Sequence, residues 1–158
     1  MSQFINNNPG NIRYNPSFKG VIGKDSRGFS IFKNHLYGIR AIRVLLTTYI
    51  NKYNLRTINK IINRYAPSSD NNRPLAYAKY VSEKSGIPVN QIIRTTDIDK
   101  LLPAIIKMET GKTVDPGDIF KSYNPAGAPA PKAGNKLSFI PAALIGIALF
   151  LLNKLKGR

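Results

Sequence analysis

The chain has only two glutamates, Glu83 and Glu109, and their settings differ. Glu83 lies in KYVSEKSG, beside Lys84 and near a helix end, and reads as a solvated surface charge. Glu109 lies in LLPAIIKMETG, at the end of the most apolar helical stretch and just before Thr110-Gly111. A carboxyl between a buried helix face and a glycine turn meets the edge of a partly desolvated cleft. Desolvation disfavours the ionised form, and so does the negative end of the helix dipole. The group then keeps its proton near neutral pH, as a general acid requires. The competing reading is a helix-end carboxylate paired with one of many lysines and arginines.

Other chemistry is thinly provided. With no cysteine and one histidine, disulfides, cysteine-based zinc sites and multi-histidine metal sites are excluded, and we expect no metal and no cofactor. His35, beside Asn34, reads as a helix-start residue rather than a base. Asp97, Asp99, Asp115 and Asp118 read as helix caps. The Gly23–Gly28 segment lacks the strand-loop-helix setting and the Gly-Lys-Ser/Thr ending of a phosphate loop.

These residues must be positioned by a mainly α fold with one small β element. Asn8-Pro9-Gly10-Asn11 is a turn signal. Phe18–Ile22 and Gly28–Phe32 suit a hairpin around a Gly23–Gly28 turn. Leu36, Ile39, Ile42, Leu46 and Tyr49 recur at helical spacing and predict a helix over 34–52 capped by Asn34. Thr57 caps a second helix, with Ile58, Ile61, Ile62 and Tyr65 inward, that Pro67 ends. A third runs from Pro74 to Gly86. A fourth begins at Asp97 or Asp99, takes Pro103 in its first turn and stops at Gly111. Asp115-Pro116 opens a last short helix.

Residues 1–123 form the head, with 19 Lys/Arg against eight Asp/Glu and a net charge of +11. Such a field suits a polyanion: nucleic acid, anionic lipid, or a cell wall bearing carboxylates and phosphates. Residues 124–136, NPAGAPAPKAGNK, read as a semi-extended tether. Residues 137–152, LSFIPAALIGIALFLL, carry no charge and are bracketed by lysines. They predict a single transmembrane helix over 137–155 with a basic tail, the alternative being a buried C-terminal helix.

The stretches NNNPGNIRY, FKGVIGKDSRGFSIFKNHLYGIRAIRVLLTTY, TINKIINRYAPSSDNN and AYAKYVSEKSGI, within residues 6–112, resemble a family of phage virion structural proteins associated with peptidoglycan cleavage. Residues 8–13 and 38–41 are the most specific parts. Their order also resembles the glucosaminidase branch of the lysozyme superfamily, where an apolar helix ending in Glu-Ser-Gly precedes the Asn-rich turn. Here Glu109-Thr110-Gly111 follows it, as in a circular permutation. Thr110 stands for the serine, Asp70-Asn71 stands for a Glu-Asn pair, and an extra residue falls within 72–75.

The resemblance implies a lysozyme-like α+β head that cleaves the MurNAc–GlcNAc backbone of peptidoglycan by lytic transglycosylation. Glu109 would be the catalytic acid and base, with Asn11, Arg13, Tyr77 and Asp70 holding substrate. It implies attachment to the internal membrane of a virion through residues 137–155, with capsid or membrane proteins as neighbours. Two rivals stand beside it. One is a hydrolytic muramidase or glucosaminidase with Asp70 or Asp25 as second carboxylate. The other is a non-enzymatic basic protein linking a viral membrane to the genome.

Overall fold

The computed structural model describes residues 3–70 and 72–127. The chain divides into two units at Ala128/Pro129, and the architecture below is that of the first. After a 3-10 turn over Ile5–Asn7 come two antiparallel strands, β1 (Val21–Lys24) and β2 (Ser30–Phe32). Five helices follow: α1 (His35–Asn51), α2 (Ile58–Tyr65), α3 (Pro74–Ser85), α4 (Ile98–Thr110) and α5 (Pro116–Lys121).

The helix boundaries follow from their caps. Asn34 accepts from the amides of Leu36 at 3.0 Å and Tyr37 at 3.3 Å. Thr57 accepts from Lys60 N at 3.2 Å, and Asp115 from Gly117 N at 2.6 Å. Each satisfies donors that a helix start leaves open. α3 and α4 stop at Gly86 and Gly111, both left-handed. Pro103 is the sixth residue of α4, deeper than the first turn expected for it, because the helix starts at Ile98 behind a 3-10 turn over Thr95–Asp97. The ring removes the amide that would bond the Asp99 carbonyl, a cost that packing must offset.

α4 supplies the centre of the core. Ile98, Leu101, Leu102, Ile105 and Ile106 are all essentially inaccessible. They meet Ile39, Ile42 and Leu46 of α1, Ile58, Ile61 and Ile62 of α2, and Ala78 and Val81 of α3 in one apolar cluster. The Asn-rich segment before the strands lies against α1 because residue 38 is glycine. A Cβ there would sit 2.2 Å from Asn7 O and 2.5 Å from Pro9 Cδ. Asn8 is buried and holds the segment's turn, donating to Ile12 O and Ser30 O and accepting from Ile12 N, each at 2.9 Å. Gln3 Nε2 reaches Thr113 O at 2.8 Å, and Lys112 Nζ returns to Gln3 O, so the segment is also tied to the end of α4.

Two expectations are corrected. In place of a lysozyme-like head carrying a transmembrane tail, the described chain is a mixed helical unit with one two-stranded sheet. Among the described residues no helix is long and apolar enough to cross a membrane. The longest, α1, has 17 residues and carries Arg40 and Arg43. The span expected over 137–155 and residues 128–136 of the tether expected over 124–136 lie outside the described residues. Asp99 is not a cap. It accepts from Arg43 Nε at 3.0 Å and Nη2 at 2.9 Å, and from Tyr123 OH at 2.7 Å, which fastens α1 to α4 and to the end of α5.

Candidate active site

Glu109 is the second-last residue of α4, one turn beyond the buried Ile105 and Ile106. Its position leaves the carboxyl half-buried at the wall of a groove of about 620 Å³. The opposite wall comes from the turn that begins at Asn8. Asn11 there has φ 46°, a left-handed conformation that asparagine tolerates better than other side-chain-bearing residues. That backbone turn aims its amide at the helix end. Nδ2 donates to Glu109 Oε2 and to the Glu109 carbonyl, both at 3.0 Å. From behind, the Tyr77 hydroxyl on α3 donates to Glu109 Oε1 at 2.9 Å. Residues 98 positions apart in the chain therefore share one carboxylate.

Burial raises the Glu109 carboxyl above its ordinary pKa, and the hydrogen bonds from Asn11 and Tyr77 only partly offset it. Both donors favour the ionised form; the apolar end of α4 favours the protonated one. Burial, reinforced by the nearby Glu109 charge, also raises the phenols of Tyr77 and Tyr65. Both stay protonated, so Tyr77 remains a donor. Each carboxyl oxygen has lone-pair capacity beyond its one donor, so a proton on Oε2 can point into the groove while both hydrogen bonds persist.

Asn11 and Arg13 both line this groove. The Arg13 guanidinium lies 4.4 Å from the centre of the Phe29 ring, and Nη1 donates to Arg27 O at 3.0 Å, leaving an exposed cationic edge. Tyr77 is 5% exposed and is not a lining residue, so it supports Glu109 rather than facing the groove. Asp70 ends a 3-10 turn over Ser68–Asp70, and its side chain is outside what the structure describes. Asp25 is committed elsewhere. It accepts from the amides of Arg27 and Phe29 and from Asn6 Nδ2 inside the hairpin turn, and the Phe29 amide is the largest cause of its lowered pKa. Glu83 is exposed and pairs with Lys84 at 2.8 Å. His35 begins α1 and meets Asp118 at 2.8 Å.

Several lining residues were not anticipated as site residues: Tyr49, Tyr65, Arg64 and Asn72. Tyr65 OH donates to Gly10 O at 2.6 Å and latches the turn that presents Asn11. Only glycine fits at residue 10, since a Cβ would lie 2.6 Å from that hydroxyl and 2.5 Å from Ile42 Cγ1. The available signal was the type of residue. Tyr49 and Tyr65 interrupt stripes of isoleucine and leucine, and an inward phenol needs a polar partner. Among the described lining residues Glu109 is the one carboxylate, and Arg13 and Arg64 are the cations.

No protein-family model matches the chain. Over 83 residues it is 40% identical to Protein P5 of Pseudoalteromonas phage PM2, a match covering 52% of this chain and 51% of that protein. The chain thus spans about half the length of the curated relative it matches.

Proposed function

We propose that this chain is a phage virion protein that cleaves the glycan backbone of peptidoglycan as a lytic transglycosylase, with Glu109 as its acid and base. The observation that carries the reading is one half-buried carboxyl with a raised pKa, at a groove wall, with a neutral donor on each oxygen. The similarity to a phage protein supports the virion setting. The motif resemblance over residues 8–13 and 105–111 supports the substrate class.

In the first step protonated Glu109 delivers its proton to the glycosidic oxygen, and the bond from that oxygen to the sugar C1 breaks. Charge develops on the carboxylate as it leaves. Asn11 Nδ2 and Tyr77 OH are already aimed at the two oxygens, so stabilisation grows without reorganisation. The carboxylate then takes the proton from the C6 hydroxyl of the same sugar, and O6 closes on C1. The products are a new chain end and a 1,6-anhydro sugar. Glu109 is protonated again, and no water is consumed. Arg13 and Asn11 hold the strand by hydrogen bonds from the exposed wall.

A single acid and base suits a groove whose described lining offers one carboxylate. Double-displacement or inverting hydrolysis needs a second one nearby. Asp25 is already consumed by backbone amides and Arg27, which leaves Asp70 as that rival's candidate. Mass spectrometry of wall digested by the full chain tests the reading. Anhydro-muropeptides, lighter by one water than hydrolysed species, are expected. Reducing ends would make it a hydrolase. No release from wall, together with salt-dependent duplex binding, would leave the basic genome-linking protein.

A further inference from the structure

The groove at Glu109 reaches α2. Arg64, exposed near the C-terminus of α2, lines it on one side. On its other side Arg64 lines a second cavity of about 520 Å³, formed with Tyr53, Lys60 and Asn63. Resting on the reading above, we propose that this cavity is a second saccharide subsite of the same glycan-binding groove, with Arg64 at the junction reading a carboxylate on the strand.

Four observations carry this. Tyr53 is a large aromatic side chain that is 48% exposed, yet its backbone is held. The residue before it, Lys52, donates its amide to Thr48 O at 2.9 Å. The residue after it, Asn54, turns the chain at φ 54°, and Leu55 N then bonds Tyr49 O at 2.9 Å. A fixed, exposed aromatic gives a flat apolar surface at low entropic cost, which suits the apolar face of a sugar ring.

Second, the described lining of this cavity has two cations, Lys60 and Arg64, and no carboxylate. An anionic strand therefore meets no repulsion there. Third, Arg64 is within reach of both cavities' aromatics. Its guanidinium lies 5.6 Å from the Tyr53 ring centre, and the same side chain lines the Glu109 groove together with Tyr49. A planar guanidinium with free edges is matched to a carboxylate in a way an ammonium is not. Fourth, the two cavities follow one helix. Residues from Lys60, on the second cavity, to Tyr65, on the first, span roughly 8 Å of α2 at 1.5 Å per residue. The second cavity thus lies along the path a strand takes away from the bond at Glu109. The ligand class is an amino-sugar polymer bearing carboxylates, longer than the unit the catalytic groove can hold.

The test is calorimetric titration of the full chain carrying Glu109→Gln, so that strands survive, with GlcNAc-MurNAc strands of two and of four disaccharides. The four-disaccharide strand should bind more tightly. Adding Tyr53→Ala should remove that gain, a loss of about tenfold, while leaving the shorter strand nearly unchanged. Neutral N-acetylglucosamine strands of matched length should bind more weakly than carboxylate-bearing ones. Arg64→Gln should erase the difference, worth about tenfold or more for a charge-assisted pair.

Equal affinity for both lengths, or a length gain that survives Tyr53→Ala, overturns the subsite. A preference for carboxylate that survives Arg64→Gln overturns the role of Arg64. Tight binding of single-stranded DNA lost with Tyr53→Ala, without any length effect for saccharide, overturns both in favour of a nucleic-acid surface. Binding is read apart from turnover. A wild-type chain that releases no anhydro product but shows the length gain keeps the subsite and loses the chemistry.

Discussion

Glu109→Gln separates the acid from its shape, and the structure indicates how the amide will sit. Asn11 Nδ2 already donates to the Glu109 carbonyl and to Oε2, so the new amide must offer oxygen, not nitrogen, to Asn11. Its nitrogen then faces Tyr77, whose hydroxyl can accept and turn its own proton to the Ile105 carbonyl, 3.4 Å away. Every polar atom keeps a partner, so the fold should survive. Stability should instead rise with pH relative to wild type. The wild-type carboxyl has a raised pKa in the folded state, so the folded protein binds more protons than the unfolded chain above the ordinary carboxylate value. Wild-type stability therefore falls as pH rises through that window. The substituted amide has nothing to ionise. The two proteins should be nearly equally stable in acid, with the variant pulling ahead towards neutral pH. Activity should move the other way. A general acid contributes ~10²–10⁴-fold, about 3–5 kcal/mol of barrier, and all of it is lost. Urea melts across pH read the first effect and anhydro-muropeptide release the second. A variant retaining more than about a tenth of wild-type activity refutes the acid role, being far short of the loss a general acid's removal brings. A variant less stable than wild type at neutral pH refutes the account of the burial.

Three further outcomes are expected. Asn11→Gly keeps the left-handed turn but removes both Asn11 bonds to Glu109; the one to Oε2 favours the carboxylate, so the alkaline limb of the pH–rate profile should move to higher pH, read from initial rates on purified wall. Gly38→Ala drives a methyl onto Asn7 O and Pro9 Cδ, backbone and ring atoms that cannot give way cheaply; it should cost about 1–3 kcal/mol in urea unfolding and reduce activity by displacing the Asn11 turn. Arg43→Met cuts the bonds to Asp99, Ser122 and Ile119 O; it should cost about 2 kcal/mol and speed amide exchange in α5, while cleavage persists because Arg43 does not line the groove.

The helices were legible in the sequence because their signals are local. Asn34, Thr57 and Asp115 each cap the helix that their position before an apolar-periodic or proline-led stretch predicts. The hairpin was legible for the same reason, since Gly28 and Asp25 write the turn between two short apolar runs. Asp99 reads wrongly as a cap because capping is a statement about neighbours, whereas its real partners, Arg43 and Tyr123, lie 56 and 24 residues away. Nothing in a local window distinguishes an acid that caps a helix from one that clamps two. The expectation of a membrane-crossing helix rested on composition over 137–155, and the helices described are amphipathic elements of one core.

The candidate site's geometry was legible at Glu109 and obscure at its walls, and the division has a physical cause. Glu109 could be picked out because its environment is made by its own helix: the isoleucines one turn before it exclude water whatever else the chain does. Asn11 could be placed near it only through a resemblance, because the closeness comes from a loop pinned by glycine at 10 and 38, a tyrosine latch and the ties at Gln3. Tyr77 was expected to touch substrate because the resemblance places it at an Ala-Tyr position of the family. It turns instead towards the carboxyl from the core side, and the groove is walled by Tyr49, Tyr65 and Arg64. Arg64 is exposed on α2, whereas Tyr49 and Tyr65 sit on α1 and α2 and pack with the core. Their polar ends reach the groove only because these side chains are longer than the isoleucines beside them. A residue that serves the core with its stem and the site with its tip is written in the sequence as core. Its second role becomes visible only when the Gly10 carbonyl that receives the Tyr65 hydroxyl has been put in place.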